Sequence, residues 1–400
     1  MRIGILTYHR SINCGAVMQC YSLSKKLQQC LPQATVEVVD YHMPLVDEYY
    51  DNEMKNYFSG NGLAFLARKC AKWLLEGGYK WHKARKDAFE MVRGQLPLSP
   101  EAIYDNGTDR LFAYINDRYD IIIAGSDAIW NYKMRGFPNP YYLSDRIQIP
   151  KMSYAASCHG MNYEAISDEE KAVISKILQS YQFIGVRDDE SYRFASQLGV
   201  KVNPIHTCDP TVFLDVDDLP IDKQTLRIKL ERKGFDFTKK TIGFMGGYNM
   251  CSMIRRLFGK EYQIVSLYTF CRIADVNLYD LTPYEWAYVF RYFSLTFTTY
   301  FHGMLLSLRN GIPVICIALD DDYANKYKAK AIDFLERIDM GDCYFKTDYK
   351  QKNIDSIKKK AVELLSADCQ DQIIQKMEIE AQTFMPFLTR LIELSQTTIG

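Results

Sequence analysis

No stretch of this 400-residue chain approaches the roughly 18 to 20 consecutive apolar residues that a membrane-spanning helix needs. Charge of one sign is also missing, since 49 Lys and Arg stand against 49 Asp and Glu. The whole molecule is therefore no electrostatic trap for nucleic acid, and anion binding must come from local clusters. The eleven cysteines include no Cys-x-x-Cys pair, and the histidines form no cluster at metal-ligand spacing. The cysteines read as reduced thiols in a cytoplasm, and no structural metal is expected. A Gly-x-Gly-x-x-Gly fingerprint is absent too, which disfavours a dinucleotide site. Internal repeats and low-complexity segments are lacking.

What is present is an alternation of short apolar runs with helical spacing. Met1–Tyr8 holds too short an apolar run for a secretory segment and is expected to be a first core strand, Ile3–Leu6. A turn at 11–15 follows, then a helix over Ala16–Gln29 and a strand over Val36–Asp40. Strand, glycine-containing turn, helix, strand is the opening of a doubly wound parallel sheet. Further strands are expected at Ile121–Ala124, Met152–Ala156 and Phe183–Val186, and the pattern restarts at Thr241–Met245. Two α/β domains, 1–215 and 216–400, are predicted, with the boundary near Pro210–Pro220 and helices closing the second. A chain of this length exceeds what one core usually supports. Ligands of such sheets lie at the carboxyl ends of the strands, so a cleft between the domains is the expected site.

Residues 63–93 depart from the alternation. They carry eight Lys and Arg against three Asp and Glu, together with Trp73 and Trp81. A basic helix of this kind either docks on an anionic membrane surface or covers the first domain as a solvated excursion.

Four segments bear chemistry. Asn13-Cys14-Gly15 through Gln19 sits where the first strand turns into a helix, a place where backbone N–H groups approach an anion; a plain tight turn capped by Asn13 explains it equally. Gly125-Ser126-Asp127 through Asn131 ends a strand and suits hydroxyl recognition, although Ser126 or Asp127 capping a short helix is the alternative. Arg187, at the tip of the strand before Asp188-Asp189-Glu190, presents a planar fork to a carboxylate or phosphate, or pairs with a neighbouring Asp. His302, ahead of Gly303 and a helical stretch, points an imidazole into the cleft unless it is a satisfied structural histidine. Lys326, Lys328 and Lys330 precede a helix over Ala331–Ile338.

Taken in order, these segments resemble the polysaccharide pyruvyl transferase family. The resemblance rests on Asn13-Cys14-Gly15-Ala16 with Gln19, Val39-Asp40-Tyr41, Gly125-Ser126-Asp127 with Trp130-Asn131, and Ser153–Ser157. Val186–Asp189, Asp209-Pro210-Thr211 and Phe301-His302-Gly303 with Pro313 complete it, covering about residues 2 to 340. It implies a GT-B-like fold of two Rossmann-like domains facing a cleft, and transfer of pyruvate from phosphoenolpyruvate to a sugar, usually as a ketal. It places donor binding on Arg187, His302, Gly303 and Lys330, catalysis on His302, Arg187 and Asp127, and acceptor binding on Asn13, Gly15, Gln19, Asp127 and Asn131. It implies no cofactor beyond phosphoenolpyruvate as co-substrate, no nucleic acid, and a sugar acceptor of a surface polysaccharide (exopolysaccharide or capsule) that is lipid-linked in part of the family. A cytoplasmic location follows, with contact at the inner membrane face and the oligomeric state left open. Cys14 departs from the aromatic residue common between Asn and Gly in the family, which bears on acceptor stacking and not on the donor. A nucleotide-sugar-dependent glycosyltransferase of the same architecture and a non-catalytic carbohydrate- or phosphate-binding protein are the competing readings. The resemblance predicts that Arg187→Ala and His302→Ala abolish phosphate release and leave the fold intact.

Overall fold

Near-continuous runs such as Ile121-Ile122-Ile123-Ala124 are buried along their whole length, the signature of strands covered on both faces. A computed structural model, describing every residue except 44–65, 68–69, 71–78, 106–107, 132–136, 138, 162, 319–329 and 400, shows how they assemble. The first sheet orders β1 (Arg2–Leu6), β2 (Thr35–Val38), β5 (Ile121–Ala124), β6 (Lys151–Ala156), β7 (Tyr181–Val186) and β8 (Ile205–His206) as β2-β1-β5-β6-β7-β8. The second orders β9 (Thr241–Met245), β10 (Gln263–Leu267), β11 (Val276–Leu278), β12 (Leu295–Thr298), β13 (Val314–Ala318) and β14 (Tyr344–Lys346) as β11-β10-β9-β12-β13-β14. Every pairing in both sheets is parallel. A small parallel pair, β3 (Tyr41–His42) with β4 (Ile103–Tyr104), extends the first domain.

The helices that carry the connections are α1 (Cys14–Cys30), α2 (Tyr79–Arg93), α3 (Asp109–Arg118), α4 (Asp168–Leu178), α5 (Asp189–Gln197), α6 (Lys223–Arg232) and α7 (Tyr248–Phe258). They continue as α8 (Pro283–Val289), α9 (Phe301–Arg309), α10 (Lys330–Arg337), α11 (Ile354–Ser366), α12 (Gln370–Ala381) and α13 (Met385–Ile399). Ser167 and Thr282 start α4 and α8 with reciprocal capping boxes, each with a glutamate three residues on.

Two departures from the sequence reading concern the seam. The tail was assigned to the second domain, yet Phe387, Leu388 and Leu391 of α13 pack in one core with Ile3, Ile5, Ile121 and Phe183 of the first sheet. The chain thus crosses back, because the outer face of that sheet would otherwise leave these apolar side chains in water. The described part of the basic excursion also does more than cover the first domain. Phe89 and Val92 of α2 join Val17 and Met18 of α1 in an apolar cluster with Leu278, Tyr284 and Trp286 of the second domain. The Arg85 guanidinium stacks between Trp81 and Tyr268, at 5.1 and 4.5 Å from the ring centroids. Trp73 and the rest of 63–78, apart from isolated residues, lie outside the described residues. No helix among the described residues is long and apolar enough to cross a membrane.

Candidate active site

Each sheet delivers its chemistry where its strands end. In the first domain β1 gives way to α1 through Asn13, whose side chain accepts from the backbone N–H of Gly15 and Ala16 and so caps the helix. Where β7 ends, Asp188 caps α5 by accepting from Ser191 N, which leaves Arg187 between strand and helix. In the second domain β12 ends at Thr298 and α9 begins at Phe301, so His302 rides the first turn of a helix. These ends meet around one cavity of about 250 Å³. Asn13, Gly15, Asp127 and Arg187 line it from one side, and His302 and Lys330 from the other.

Gly15 is required by this meeting. A Cβ at that position would lie 2.0 Å from His302 Nδ1 and 2.2 Å from its Cγ, so only glycine lets the imidazole approach α1. One helical turn on, Gln19 is fully buried and works as a relay. Its amide oxygen accepts from Ser126 Oγ at 2.8 Å, and its NH₂ group faces Asp209 Oδ2 and His302 Nε2.

Asp209 is the hub. It has no solvent exposure, accepts from Arg187 Nη1 at 2.8 Å and from Thr211 Oγ1 at 2.7 Å, and lies 3.6 Å from His302 Nε2. Burial alone would raise its pKa, but hydrogen bonding and charge from His302 and the charge of Arg187 hold the carboxyl well below the usual range. Arg187, itself 2% exposed, also sits 3.6 Å from Asp127 Oδ1 and 5.1 Å over the Phe301 ring. Asp127 has φ +87°, a backbone state that non-glycine residues seldom adopt, and its carboxylate accepts from Ala128 N at 2.7 Å. Although burial raises its pKa, the charges of Arg187, Lys330 and His302 keep it ionised. Lys330 shows the converse. Burial, then the neighbouring Arg187 charge, lowers its ammonium to about 8, against the pull of Asp127, Asp188 and Asp209. His159 is driven to about 4 by Lys330 first and burial second. The arrangement can therefore hold an anion between Arg187 and Lys330 while a histidine and a carboxylate stand beside it for proton transfer.

A family model described as polysaccharide pyruvyl transferase matches residues 13–321. The chain belongs to the polysaccharide pyruvyl transferase family. Its membership makes it a transferase acting on polysaccharide. Among curated protein sequences none matches it. Among solved structures, this pyruvyl transferase family member is similar to a UDP-GlcNAc 2-epimerase from Neisseria meningitidis bound to UDP-GlcNAc. The identity is 12%, with 96% of this chain and 100% of that one covered, at a TM-score of 0.52. It is similar to the same degree to the spinosyn forosaminyltransferase SpnP, at 12% identity, 98% and 99% coverage and a TM-score of 0.52. These likenesses concern the fold, two Rossmann-like domains facing a cleft in the GT-B manner.

Within this pyruvyl transferase the residues singled out from sequence divide into three groups. Asn13, Gly15, Asp127, Arg187, His302 and Lys330 line the cavity together. Gln19 and Gly303 stand behind it, Gln19 bonded to the site's side chains and Gly303 closely packed against Met245 and Thr298. Asn131 is elsewhere: it is buried, and its side-chain NH₂ donates to the His159 backbone oxygen at 2.6 Å. No helix forms at Ser126–Asn131, because Asp127 bridges to Ala156 in the sheet direction; Trp130 packs instead, stacked on Tyr142 at 5.6 Å. Arg187 pairs with Asp209 and Asp127 and not with the acidic residues that follow it, since Asp188 is committed to its helix cap. Lys326 and Lys328 lie outside the described residues. Sequence reasoning did not single out Tyr268 or His159, and it gave no site role to Ser126 and Asp209, although both stand in segments that carry the resemblance. The signal for Asp209 was present, an Asp before Pro at a strand end, but its partners are 22 and 190 residues distant. No group of three or more His, Cys, Asp or Glu among the described residues is placed to hold a metal ion.

Proposed function

We propose that the chain transfers pyruvate from phosphoenolpyruvate to a sugar of a surface-polysaccharide or lipid-linked precursor, closing it as a ketal. The observation that carries this reading is the convergence of Arg187, His302 and Lys330 from the two domains on one cavity containing Asp127.

Arg187 and Lys330 bind the donor's phosphate and carboxylate. A proton added to the methylene carbon leaves an electron-deficient C2, and a sugar hydroxyl attacks it. Asp127 accepts that hydroxyl's proton. The C2–O bond to phosphate then breaks, inorganic phosphate departs, and a second hydroxyl closes the ketal with loss of its proton. His302, with one ring nitrogen against Gln19, gives a proton either to the methylene carbon or to the departing phosphate in this reading. No covalent enzyme intermediate and no resident cofactor is called for, the donor being consumed.

Incubation with phosphoenolpyruvate and a panel of candidate glycans, read by mass spectrometry and phosphate release, tests the proposal. A pyruvylated glycan with stoichiometric phosphate, lost in His302→Ala, is the expected result. Thermal stabilisation by nucleotide sugars and none by phosphoenolpyruvate would overturn it in favour of a glycosyltransferase.

A further inference from the structure

The loop between β1 and α1 has two working ends. Asn13 lines the donor cavity, whereas Thr7 to Ser11 line a second depression together with Tyr41, Met43 and Tyr141. Ser11 and Asn13 are two residues apart, so at most about 7 Å of backbone joins a residue lining one place to a residue lining the other.

This second place is built. Asp40 Oδ1 takes His9 Nε2 at 2.8 Å and Arg10 Nη1 at 3.1 Å, with His42 Nε2 at 3.5 Å. Burial works against the ionised carboxylate, but these three neighbours hold it at about 2, so Asp40 faces Arg10 as an anion near neutrality. Arg93 fixes the loop from α2 by donating to the Arg10 backbone oxygen at 3.0 Å. Tyr141 meets Tyr8 edge to face at 4.8 Å and Tyr41 at 6.2 Å, which makes an aromatic wall. Ser11 is the decisive residue. It is 5% exposed, and its Oγ has no hydrogen-bond partner among the described residues although it lines the depression. A buried hydroxyl without a partner costs free energy that an incoming hydroxyl recovers. The enclosed volume is about 10 Å³, room for one water-sized group. The charge of Arg10 is offset by Asp40, so this place offers hydrogen bonds and a ring surface in place of net positive charge. Such chemistry suits a neutral sugar hydroxyl and not a phosphate.

We propose that the depression lined by Arg10, Ser11, Tyr8, Tyr41 and Tyr141 is an acceptor subsite. It takes a neutral sugar unit adjoining the one that receives pyruvate, with one hydroxyl inserted beside Ser11 Oγ. Asp40 and His9 act as positioning residues for Arg10 and the loop. The inference rests on the reading of the chain as a pyruvyl transferase with its donor at Arg187 and Lys330.

Saturation-transfer NMR titrations on the full chain with lactose, cellobiose, maltose and mannobiose, and with glucuronic acid as a charged control, test it. At least one neutral disaccharide is expected to bind better than glucuronic acid. Ser11→Ala should weaken that binding roughly 3- to 10-fold, the worth of one hydrogen bond, and Arg10→Ala by tenfold or more. Because Ser11 Oγ is buried with no partner in the described fold, Ser11→Ala does not lower the melting temperature and raises it if anything, which separates lost binding from lost structure. Failure of all four disaccharides to bind the wild type, or equal binding by both variants, overturns the subsite. Thermal shift with phosphoenolpyruvate runs in parallel. Loss of that shift in the wild type with Ser11-dependent disaccharide binding intact would sink the donor reading and leave the sugar subsite standing.

Discussion

Replacing Asp209 by asparagine removes one charge and little volume from the centre of the site. The oxygen accepting from Arg187 Nη1 at 2.8 Å and from the Gln19 amide becomes either a neutral carbonyl or an NH₂ group facing two donors. Arg187, 2% exposed, is left with Asp127 at 3.6 Å as its counter-charge. Breaking one partner out of a buried ion pair costs about 3–5 kcal/mol, so urea unfolding should show a loss of that order. Two opposite consequences follow for the chemistry. Arg187 and His302 lose the oxygen that fixes both, and a displacement near 1 Å at reacting groups lowers turnover about 100-fold. The cavity meanwhile sheds a negative charge, so phosphoenolpyruvate and product phosphate should bind at least as tightly as before. The expected signature is a collapse in kcat without a rise in KM, with stronger inhibition by phosphate, measured per folded molecule. Turnover within a few-fold of wild type in folded Asp209→Asn would refute the positioning role. A rise in KM at unchanged kcat would show that Asp209 serves ground-state binding alone.

Other outcomes follow from the same geometry. Gly15→Ala puts a methyl where the His302 ring lies, at 2.0 Å from Nδ1; phosphate release should fall by about 100-fold, and calorimetry should find a loss of about 1–3 kcal/mol, reduced by the ~0.5–1 kcal/mol that alanine gains in a helix. Lys330, with its pKa lowered to about 8, is charged to about nine-tenths at pH 7 and about one-tenth at pH 9. Donor affinity should therefore be full below pH 7 and decline through pH 8, whereas Lys330→Arg holds its affinity to pH 9; a flat profile in the wild type would remove Lys330 from donor binding. Arg187→Ala and His302→Ala should both stop phosphate release, but only the first should unfold early, by about 3–5 kcal/mol, because it strands fully buried Asp209 without its cation. Equal melting of the two variants in calorimetry would contradict the ion-pair account.

That last contrast departs from the expectation drawn from sequence that both variants leave the fold intact, because the Arg187–Asp209 pair is buried, and it shows where sequence reading stops. The strands were legible because Ile121–Ala124 and Ile242–Met245 are near-continuous apolar runs, a pattern that two-sided burial imposes locally. Asp127, Arg187 and His302 were legible because each follows a strand end beside a glycine or a helix cap, again a local signal, whereas Lys330 was singled out from the neighbouring lysines by the family resemblance alone. Asp209 was not legible as a hub, since its role is fixed by Gln19, 190 residues away. The path of α13 back to the first sheet was equally hidden. Its apolar face at Phe387 and Leu391 states that it must be buried but not against which sheet. Asp127 was read as a functional carboxylate with a helix cap as the alternative, and only its backbone state escaped notice, because φ +87° leaves no mark on periodicity.

The charge balance at the cavity explains why so much of the site is carboxylate. Arg187 and Lys330 bring two cations, and Asp127, Asp188 and Asp209 bring three anions. A site that served only to grip phosphate would not be arranged so, since each carboxylate weakens anion binding. Donor and released phosphate, however, occupy the same cations in the proposed reaction. Attraction that does not distinguish them lowers KM while slowing product departure, and it adds nothing to the chemical step. Carboxylates that orient Arg187 before the donor arrives remove reorganisation from the barrier, and by offsetting its charge they let phosphate leave. The cost is modest ground-state affinity, which a neutral acceptor subsite at Arg10 and Ser11 does not share. Selectivity in such an enzyme then resides with the sugar, and speed with the fixed geometry around Asp209.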